Sequence, residues 1–506
     1  MIELTGKTLM IQGTTSHAGK SMLVTALCRI FNNMGYKVAP FKSQNMSLNS
    51  FVTEDGAEIA RSQTVQSMAA RTKPISEFNP ILLKPKGDKT SQIILMGKPF
   101  ADSNAKEYYT YYTPQLVPYV KKALSRLQEE YDIIIIEGAG SPAEINLVDV
   151  EIANMFVAKL TNAPVILIAD IDRGGVFASL YGTIKLLKPE EQNFVKFFVI
   201  NKFRGDVEIL KPGIEQLEKI IGIGCNGVLP YIQGLKLPAE DSISLEEIES
   251  GGKLEVKIIR LPRISNFTDF EALSWEPEIH VSYVNSPEKL DNADLIVIPG
   301  TKNTIKDLLW MEQKGFLSKL CQLEKLGYLI VGICGGYQIL GKYIIDMGIE
   351  GDTIGEYKGL GFLPIRTEFL SYDKITRQIR AEIVGFPFFN GQLIEGYEIH
   401  MGRIIHEPGA RPLLKMENEK NKSEKLFIGA INDQNTVFGC LIHGFWDNDG
   451  FREKFVEYLF SRKNVKRQTF KKKVGYKENI EKNIQKLAKI VAKNLNIKDI
   501  INILGF

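Results

Sequence analysis

A glycine-rich segment at residues 13–21 has the composition of a phosphate-binding loop. In such a loop, small residues let backbone N–H groups point at phosphates, a lysine contacts the same phosphates, and a serine hydroxyl can hold Mg²⁺. The spacing departs from the usual pattern, since five residues rather than four separate the first glycine from the Gly-Lys pair. An apolar run precedes the segment and a helical pattern follows it, which is the expected context. We therefore predict an ATP site at Gly13, Thr14, Gly19, Lys20 and Ser21.

Two acidic residues stand where apolar runs end. Glu137 follows four isoleucines and precedes a Gly-Ala-Gly turn, and Asp170 ends the run that begins at Val165. Ligands of open α/β sheets bind at the carboxyl ends of the strands. We predict that Glu137 lies beside Mg²⁺. The sequence leaves open whether Asp170 contacts metal, substrate or a helix N-terminus.

Cys334 stands between an apolar run and a pair of glycines, an arrangement that resembles a nucleophile elbow. In that strand-to-helix turn the side chain is exposed, and backbone N–H groups stabilise an oxyanion. A thiolate suits the position because it is strongly nucleophilic and is stabilised by a helix N-terminus and an imidazolium. His443, after another apolar stretch, is the predicted partner. Of the four competing histidines, His400 has the most ordered sequence context.

These groups need a scaffold, and the sequence predicts one of the α/β class. Short apolar runs alternate with longer helical patterns, which predicts βαβ units around a parallel sheet. A similar series resumes in the second half of the chain, so we predict a second α/β sheet. The runs lie at residues 8–12, 133–136, 165–169 and 197–200 in the first series, and at 256–260, 295–298 and 328–333 in the second.

The length of 506 residues exceeds what one hydrophobic core usually organises. Acidic and polar residues at 237–252 separate the two series. We predict a phosphate-loop domain at residues 1–240, an α/β domain carrying Cys334 at 252–450, and a basic, largely helical tail at 451–506. The tail contains an amphipathic helix, for which packing on the body is favoured over a membrane-surface or partner-binding role.

Composition excludes several classes of protein. With 44% hydrophobic and 24% charged residues the chain is globular, and a net charge of +3 gives no argument for nucleic acid. We expect no membrane span and no signal peptide, and therefore a cytoplasmic protein. Five scattered cysteines argue against a disulfide framework and structural zinc, so any special cysteine is expected to act through its thiolate. The oligomeric state stays open.

Beyond the phosphate-binding loop and the Cys334 turn, longer segments of the chain resemble the cobyric acid synthase family, the glutamine-dependent amidotransferases of cobalamin biosynthesis. The resemblance covers nearly the whole chain up to about residue 448. The first domain is similar to dethiobiotin synthetase, whose phosphate loop has the same longer spacing, and the second to class I glutamine amidotransferase domains. The matching segments are residues 40–50, 137–146, 169–177, 200–206, 262–270, 299–304 and 396–403.

The resemblance implies site residues. It implies Cys334 as nucleophile with His443 as its partner, and it places Ser21, Glu58 and Glu137 near Mg²⁺ and Asn201 near adenine. Many class I amidotransferases carry a glutamate two residues after the histidine, where this chain has a phenylalanine. The resemblance therefore implies a Cys-His dyad and a slow or tightly gated glutaminase. Asp447, four residues after the histidine, is a possible substitute.

The implied reaction uses ATP and Mg²⁺, and its substrates are glutamine and a corrinoid, adenosylcobyrinic acid a,c-diamide. Its b, d, e and g carboxylates would be amidated to give adenosylcobyric acid. Ammonia released at Cys334 must reach the ATP site, which predicts a shared interface or channel. Two alternatives stay open at this point. One is a cobyrinic acid a,c-diamide synthase, and the other is a P-loop switch ATPase with an inert second domain.

Overall fold

The structure is a computed structural model that describes residues 6–87, 89–238, 252–351, 353–417, 425–467 and 474–506. Most of the predicted domain boundary at 237–252 lies outside the described residues. No helix in the described ranges is long and apolar enough to cross a membrane.

The first unit alternates strands and helices along the chain. In chain order its strands are β1 (Lys7–Gly13), β2 (Val38–Phe41), β3 (Gln44–Met46), β4 (Ser50–Val52), β5 (Glu58–Ala60), β6 (Ile81–Pro85), β7 (Thr90–Leu95), β8 (Lys98–Asn104), β9 (Ile133–Glu137), β10 (Val165–Asp170), β11 (Val195–Phe203) and β12 (Gly224–Pro230). Its helices are α1 (Lys20–Asn33), α2 (Arg61–Ala69), α3 (Ala105–Glu107), α4 (Thr113–Glu130), α5 (Met155–Thr161), α6 (Val176–Leu186), α7 (Pro189–Gln192) and α8 (Val207–Ile221).

A six-stranded parallel sheet in the order β12-β11-β10-β1-β9-β2 forms the centre of this unit. The four isoleucines of β9 are fully buried, because a parallel sheet is covered on both faces. Ile11 of β1 pairs with Glu137 of β9, so the ends of these two strands lie side by side. A smaller sheet, β3-β6-β7-β8, and the antiparallel pair β4 and β5 contact the second unit.

The second unit begins with a parallel series and continues into antiparallel strands. Its strands are β13 (Leu254–Ile259), β14 (Ile279–Val284), β15 (Leu295–Ile298), β16 (Ile330–Ile333), β17 (Tyr343–Met347), β18 (Ile354–Lys358), β19 (Ile365–Phe369), β20 (Ile375–Ile383), β21 (Leu393–His400), β22 (Arg403–His406), β23 (Arg411–Glu417), β24 (Lys425–Ile431), β25 (Val437–Cys440) and β26 (Ile442–His443). Its helices are α9 (Glu271–Ser274), α10 (Thr304–Gln313), α11 (Phe316–Lys325) and α12 (Gly335–Ile339), and the C-terminal helices are α13 (Asp449–Arg462), α14 (Tyr476–Asn494) and α15 (Ile497–Leu504).

The main sheet of the second unit has the order β14-β13-β15-β16-β25-β24-β23-β20-β21-β26. Its first five strands are parallel, and the rest are antiparallel. Cys334 follows β16 near the centre, whereas His443 ends β26 at the edge next to β21. Both units are therefore α/β with parallel sheets, and the predicted fold class is confirmed.

The C-terminal helices pack against both units. The apolar face of α14 is buried, and Tyr476 at its start packs its ring 4.8 Å from that of Trp275 in the second unit. Further along α14, Glu481 accepts from Arg29 of α1 at 2.8 Å. Leu495 then forms a bridge with Gly227 of β12. The tail thus holds the two units in contact.

Candidate active sites

The glycine-rich loop leaves β1 and turns directly into α1. Gly19 precedes the helix with a φ of 109°, and a Cβ atom there would lie 2.1 Å from the Asn201 side-chain nitrogen. Only glycine fits, because the position is both left-handed and in contact with another strand. Asn201 donates to the carbonyl of Ala18 at 2.9 Å, so the loop and the end of β11 are joined. The structure therefore brings Asn201 to the loop.

The Lys20 side chain lies over the concave side of this loop. Its ammonium donates to the carbonyls of Thr15 at 3.0 Å and Gly140 at 2.8 Å. Gly140 belongs to the turn after Glu137, so the lysine joins the β1 and β9 loops. Lys20, Ser21, Lys42, Glu137 and Gly140 line one open cleft. This cleft is where the positive end of α1 would meet phosphates.

Glu137 is almost fully buried at the base of this cleft. Its carboxylate accepts from the Ser21 hydroxyl at 2.9 Å, from the Lys42 ammonium at 2.8 Å and from the Gln66 amide. Sequence analysis did not single out Lys42 or Gln66 as site residues. Lys42 lies within the family-like segment 40–50, which was the available signal, whereas nothing local marks Gln66.

The other two predicted acidic residues make different contacts. Asp170 accepts from Lys202, a residue of the cleft lining, at 2.7 Å and from the backbone N–H of Asp172 at 2.9 Å. Glu58 is fully buried, and it accepts from Lys84 at 2.6 Å and from Lys374 of the second unit. Glu58 is not among the residues that line the phosphate-loop cleft. Its carboxylate is paired with two lysine ammonium groups at the interface of the units, and the expectation that it lies near Mg²⁺ stays a prediction.

Cys334 forms a strained turn between β16 and α12. Its φ of 52° and ψ of −112° lie outside the common regions for a non-glycine residue, as in a nucleophile elbow. A Cβ atom on Gly335 would lie 2.6 Å from the Thr301 methyl group, and one on Gly336 would lie 1.9 Å from the Ile298 carbonyl. The two glycines are therefore required because the elbow packs directly on the end of β15.

His443 is held by an acid that sequence analysis missed. Its Nδ1 lies 2.7 Å from Oδ2 of Asp269, and Oδ1 of Asp269 accepts from the backbone N–H of Gly444 at 2.9 Å. All of these groups are buried, and the Tyr397 ring stacks on the imidazole at 5.5 Å. Because Asp269 engages Nδ1, Nε2 is the remaining ring nitrogen, and it has no hydrogen-bond partner among the described residues.

The electrostatics of His443 follow from this pairing. Burial by itself lowers the pKa of His443, but the Asp269 carboxylate and Cys334 raise that pKa to about 10. The imidazolium form is therefore stabilised at neutral pH, next to a cysteine that a cation would activate. The expected Cys-His dyad is corrected, because Asp269 completes a triad. Asp269 lies in one of the family-like segments, residues 262–270. No rule of sequence spacing connects that segment to His443.

Two further expectations about the histidine are settled by contacts. Asp447 does not orient His443, since its carboxylate faces Arg61 of the first unit at 3.7 Å. Phe445, in the position of the expected glutamate, is buried in the core. His400 lines the cavity at Cys334, but its Nε2 lies 3.8 Å from Glu398.

The cavity at Cys334 lies at the interface between the two units. Lys84 comes from the first unit and Lys302, Glu350 and Lys374 come from the second. A group of buried polar residues lies between this interface and the phosphate loop. These residues form hydrogen bonds with one another or with the second unit, and they are Asn45, Asn49, Ser50, Ser62, Gln63, Gln66 and Glu137.

Comparison with known proteins matches both units. Residues 9–245 match the CobQ/CobB/MinD/ParA nucleotide binding domain, and residues 255–451 match the CobB/CobQ-like glutamine amidotransferase domain. The chain is 45% identical to the cobyric acid synthase of Pelotomaculum thermopropionicum, over 99% of this chain and 97% of that protein. It is 46% identical to the probable cobyric acid synthase of Methanosarcina mazei, over 99% of each chain. It is 44% identical to the cobyric acid synthase of Clostridium acetobutylicum, over 98% of each chain.

Proposed function

The chain belongs to the cobyric acid synthase family, and from that premise we propose that it uses ATP and glutamine to amidate the b, d, e and g carboxylates of adenosylcobyrinic acid a,c-diamide. The product is adenosylcobyric acid. The observation that carries the proposal is the pairing of two sites across one interface: a phosphate loop with a buried carboxylate, and a Cys334-His443-Asp269 triad. A cytoplasmic location is part of the proposal, supported by five cysteines that are all unpaired.

The phosphate-loop cleft fits ATP. The buried side-chain oxygen of Asn201 has no hydrogen-bond partner among the described residues, so it can accept from the amino group of adenine. Lys20 and the N–H groups at the start of α1 can hold the phosphates. A carboxylate resists attack by ammonia, so the γ-phosphoryl group is transferred to a substrate carboxylate, which becomes an acyl phosphate. Positioning and charge neutralisation provide most of the acceleration.

Mg²⁺ fits the same cleft. The Ser21 hydroxyl and the Glu137 carboxylate are hard oxygen ligands 2.9 Å apart, and both line the cleft that contains Lys20. When bound, the ion would neutralise charge on the phosphates. Lys42 and Gln66 hold the Glu137 carboxylate in place, and their hydrogen bonds keep its orientation fixed.

The triad supplies ammonia. The Cys334 thiolate attacks the side-chain amide of glutamine, and the His443 imidazolium gives a proton to the departing nitrogen. Ammonia and a γ-glutamyl thioester result. His443 then takes a proton from water, and the resulting hydroxide attacks the thioester. Glutamate and the Cys334 thiolate are released, and the proton of the new carboxyl group passes to solvent. Asp269 keeps the imidazole in one orientation during both steps.

Ammonia must pass from Cys334 to the acyl phosphate. We place its path along the buried polar residues between the two sites, because they exclude bulk water and offer hydrogen bonds along the way. Attack of ammonia on the acyl phosphate forms the amide and releases phosphate. A substrate with four target carboxylates requires that the macrocycle be bound in different orientations in turn.

The proposal is tested by measuring corrinoid mass and ATP hydrolysis with adenosylcobyrinic acid a,c-diamide. Either glutamine or free ammonia is supplied to the wild type and to Cys334→Ala. We expect the variant to lose glutamine-driven amidation by at least about a thousandfold and to keep ammonia-driven amidation. Both wild-type reactions should replace OH by NH₂ at each of the four carboxylates.

A matched control is Cys321→Ala, since Cys321 is a free cysteine of α11 outside the cavity. It should behave as the wild type does. ATP turnover without any change in corrinoid mass would contradict the proposal and favour a P-loop switch ATPase.

A further inference from the structure

The cavity at Cys334 contains two opposite charges without ionic partners at short range. Lys302 follows the end of β15 and donates to the neutral Gln92 side chain at 3.0 Å. Glu350 is buried and accepts from the backbone N–H of Thr304 at 2.7 Å. Within the described part of the chain, neither side chain forms an ion pair within 4.0 Å. Charges kept in a cavity without partners point to a ligand that brings its own.

The two other lysines of the cavity share one buried carboxylate behind its lining. Lys84 and Lys374 both donate to Glu58. Their attraction to that carboxylate leaves Lys302 and Glu350 as the cation and anion available to a ligand. Burial, and then the neighbouring Lys374 and Lys84 ammonium groups, lower the pKa of Lys302 to about 7. An incoming carboxylate would restore its charge.

The backbone that carries both side chains is held in place, and the N–H of Lys302 donates to the carbonyl of Arg263 at 2.9 Å. Lys302 is two residues beyond Gly300. A Cβ atom added to Gly300 would lie 3.1 Å from Cε1 of His443. Glu350 lies in a turn that is tied down by Asp346, whose carboxylate accepts three backbone N–H groups, from Ile349, Glu350 and Gly351. The two charges therefore have defined positions beside the nucleophile, and little side-chain ordering is needed on binding.

We propose that Lys302 binds the α-carboxylate and Glu350 the α-ammonium of the glutamine whose side-chain amide reaches Cys334. The inference rests on the proposed glutaminase and names its amino-acid specificity. A zwitterion has its two charges on one carbon, so it can bridge a cation and an anion that do not reach each other directly. Amides without these charges would leave both side chains unpaired, and the cavity would reject them.

The test compares three substrates in a glutaminase assay: glutamine, its α-carboxamide, which lacks the carboxylate, and its des-amino analogue, which lacks the ammonium. We expect Lys302→Gln to lower kcat/KM for glutamine by about tenfold to a hundredfold, mainly through KM. It should change kcat/KM for the α-carboxamide by less than about threefold. Glu350→Gln should lower kcat/KM for glutamine by a similar factor and change kcat/KM for the des-amino analogue by less than about threefold.

Labelling of Cys334 separates this inference from the proposed function. The diazoketone analogue of glutamine alkylates the thiolate with loss of dinitrogen, and iodoacetamide alkylates it without needing an amino-acid site. Lys302→Gln should slow the first reaction and leave the second unchanged, whereas Lys314→Gln, at an exposed lysine of the same unit, should change neither.

Each outcome has one meaning. If Lys302→Gln loses activity equally toward glutamine and its α-carboxamide, or loses none, the inference is wrong. If wild-type Cys334 reacts with iodoacetamide but the protein hydrolyses no glutamine, the proposed function fails instead.

Discussion

At the scale of single residues, the pairing of His443 with Asp269 determines which nitrogen of the imidazole faces Cys334. The carboxylate accepts from Nδ1 and raises the pKa of the ring to about 10, together with Cys334 and against the effect of burial. An asparagine in its place keeps the shape but loses the charge. It can also donate to Nδ1, which favours the wrong tautomer.

We therefore expect Asp269→Asn to lower kcat for glutamine hydrolysis by about 10³- to 10⁴-fold. The imidazolium is stable below the pKa of His443 and is lost above it. Removing the carboxylate lowers that pKa, so the alkaline limb of any residual activity should move to lower pH. Steady-state rates between pH 6 and 10 measure both effects.

Asp447→Asn is the matched control, because the same change is made to an acid that faces Arg61 and not His443. It should leave glutamine hydrolysis within about tenfold of the wild type. Equal losses in the two variants would show that interface packing, rather than orientation of the histidine, is being measured.

At the scale of elements, helix α2 contacts the second unit, the phosphate-loop cleft and helix α1. It begins at Arg61 beside the second unit, carries Gln66 to Glu137, and ends against Arg29 of α1. The fully buried Arg29 donates to the terminal carbonyls of Met68 at 2.9 Å and Ala69 at 2.8 Å. A cation at a helix C-terminus stabilises both the unpaired carbonyls and the helix dipole.

Replacing Arg29 by Met should leave the Ala69 carbonyl without a donor, whereas the Met68 carbonyl keeps the backbone N–H of Arg71 at 3.1 Å. We expect the free energy of unfolding to fall by about 1 to 3 kcal/mol, which is the cost of one unsatisfied buried group. Thermal unfolding of the purified protein would show this as a lower Tm. The pair with Glu481 adds little, because that carboxylate is 45% exposed.

Arg71→Met provides the comparison. The Arg71 side chain is 51% exposed and lies 3.6 Å from the same Glu481, but its guanidinium donates to Asn32 and Asn33 and not to the end of α2. Its loss should change the free energy of unfolding by less than about 1 kcal/mol. A similar loss of Tm in both variants would assign the effect to Glu481 and not to the helix end.

Comparison of these elements with the sequence shows which features could be predicted and which could not. The runs at 133–136 and 165–169 coincide with β9 and β10 to within a residue, because buried parallel strands are locally apolar. Asp269 was missed because it lies 174 residues from His443 and only the tertiary fold joins them. Glu58 lies outside the lining of the phosphate-loop cleft for a related reason. Its segment folds away from the phosphate loop to meet Lys374, which is 316 residues away.

At the scale of the whole molecule, Glu58 connects the two units through one buried carboxylate. Burial by itself raises the pKa of Glu58. The larger opposite effect of Lys374 and Lys84 brings that pKa well below its usual range. A carboxyl group with a depressed pKa stabilises the folded state above its unfolded pKa. That stabilisation is lost as the pH falls through the folded pKa. The contact between the units should therefore be fully formed at neutral pH and weaken in acid.

Glu58→Gln should leave two buried ammonium groups without a counter-charge and cost about 3 to 5 kcal/mol at pH 7. The difference in Tm from the wild type should stay constant between about pH 6 and 8 and shrink below about pH 4, near the unfolded pKa of a glutamate. Adding Lys374→Met removes one of the unpaired charges and should restore part of the loss. If the single variant instead loses the same Tm at every pH, its effect comes from packing at the interface, and the carboxylate charge does not hold the units together.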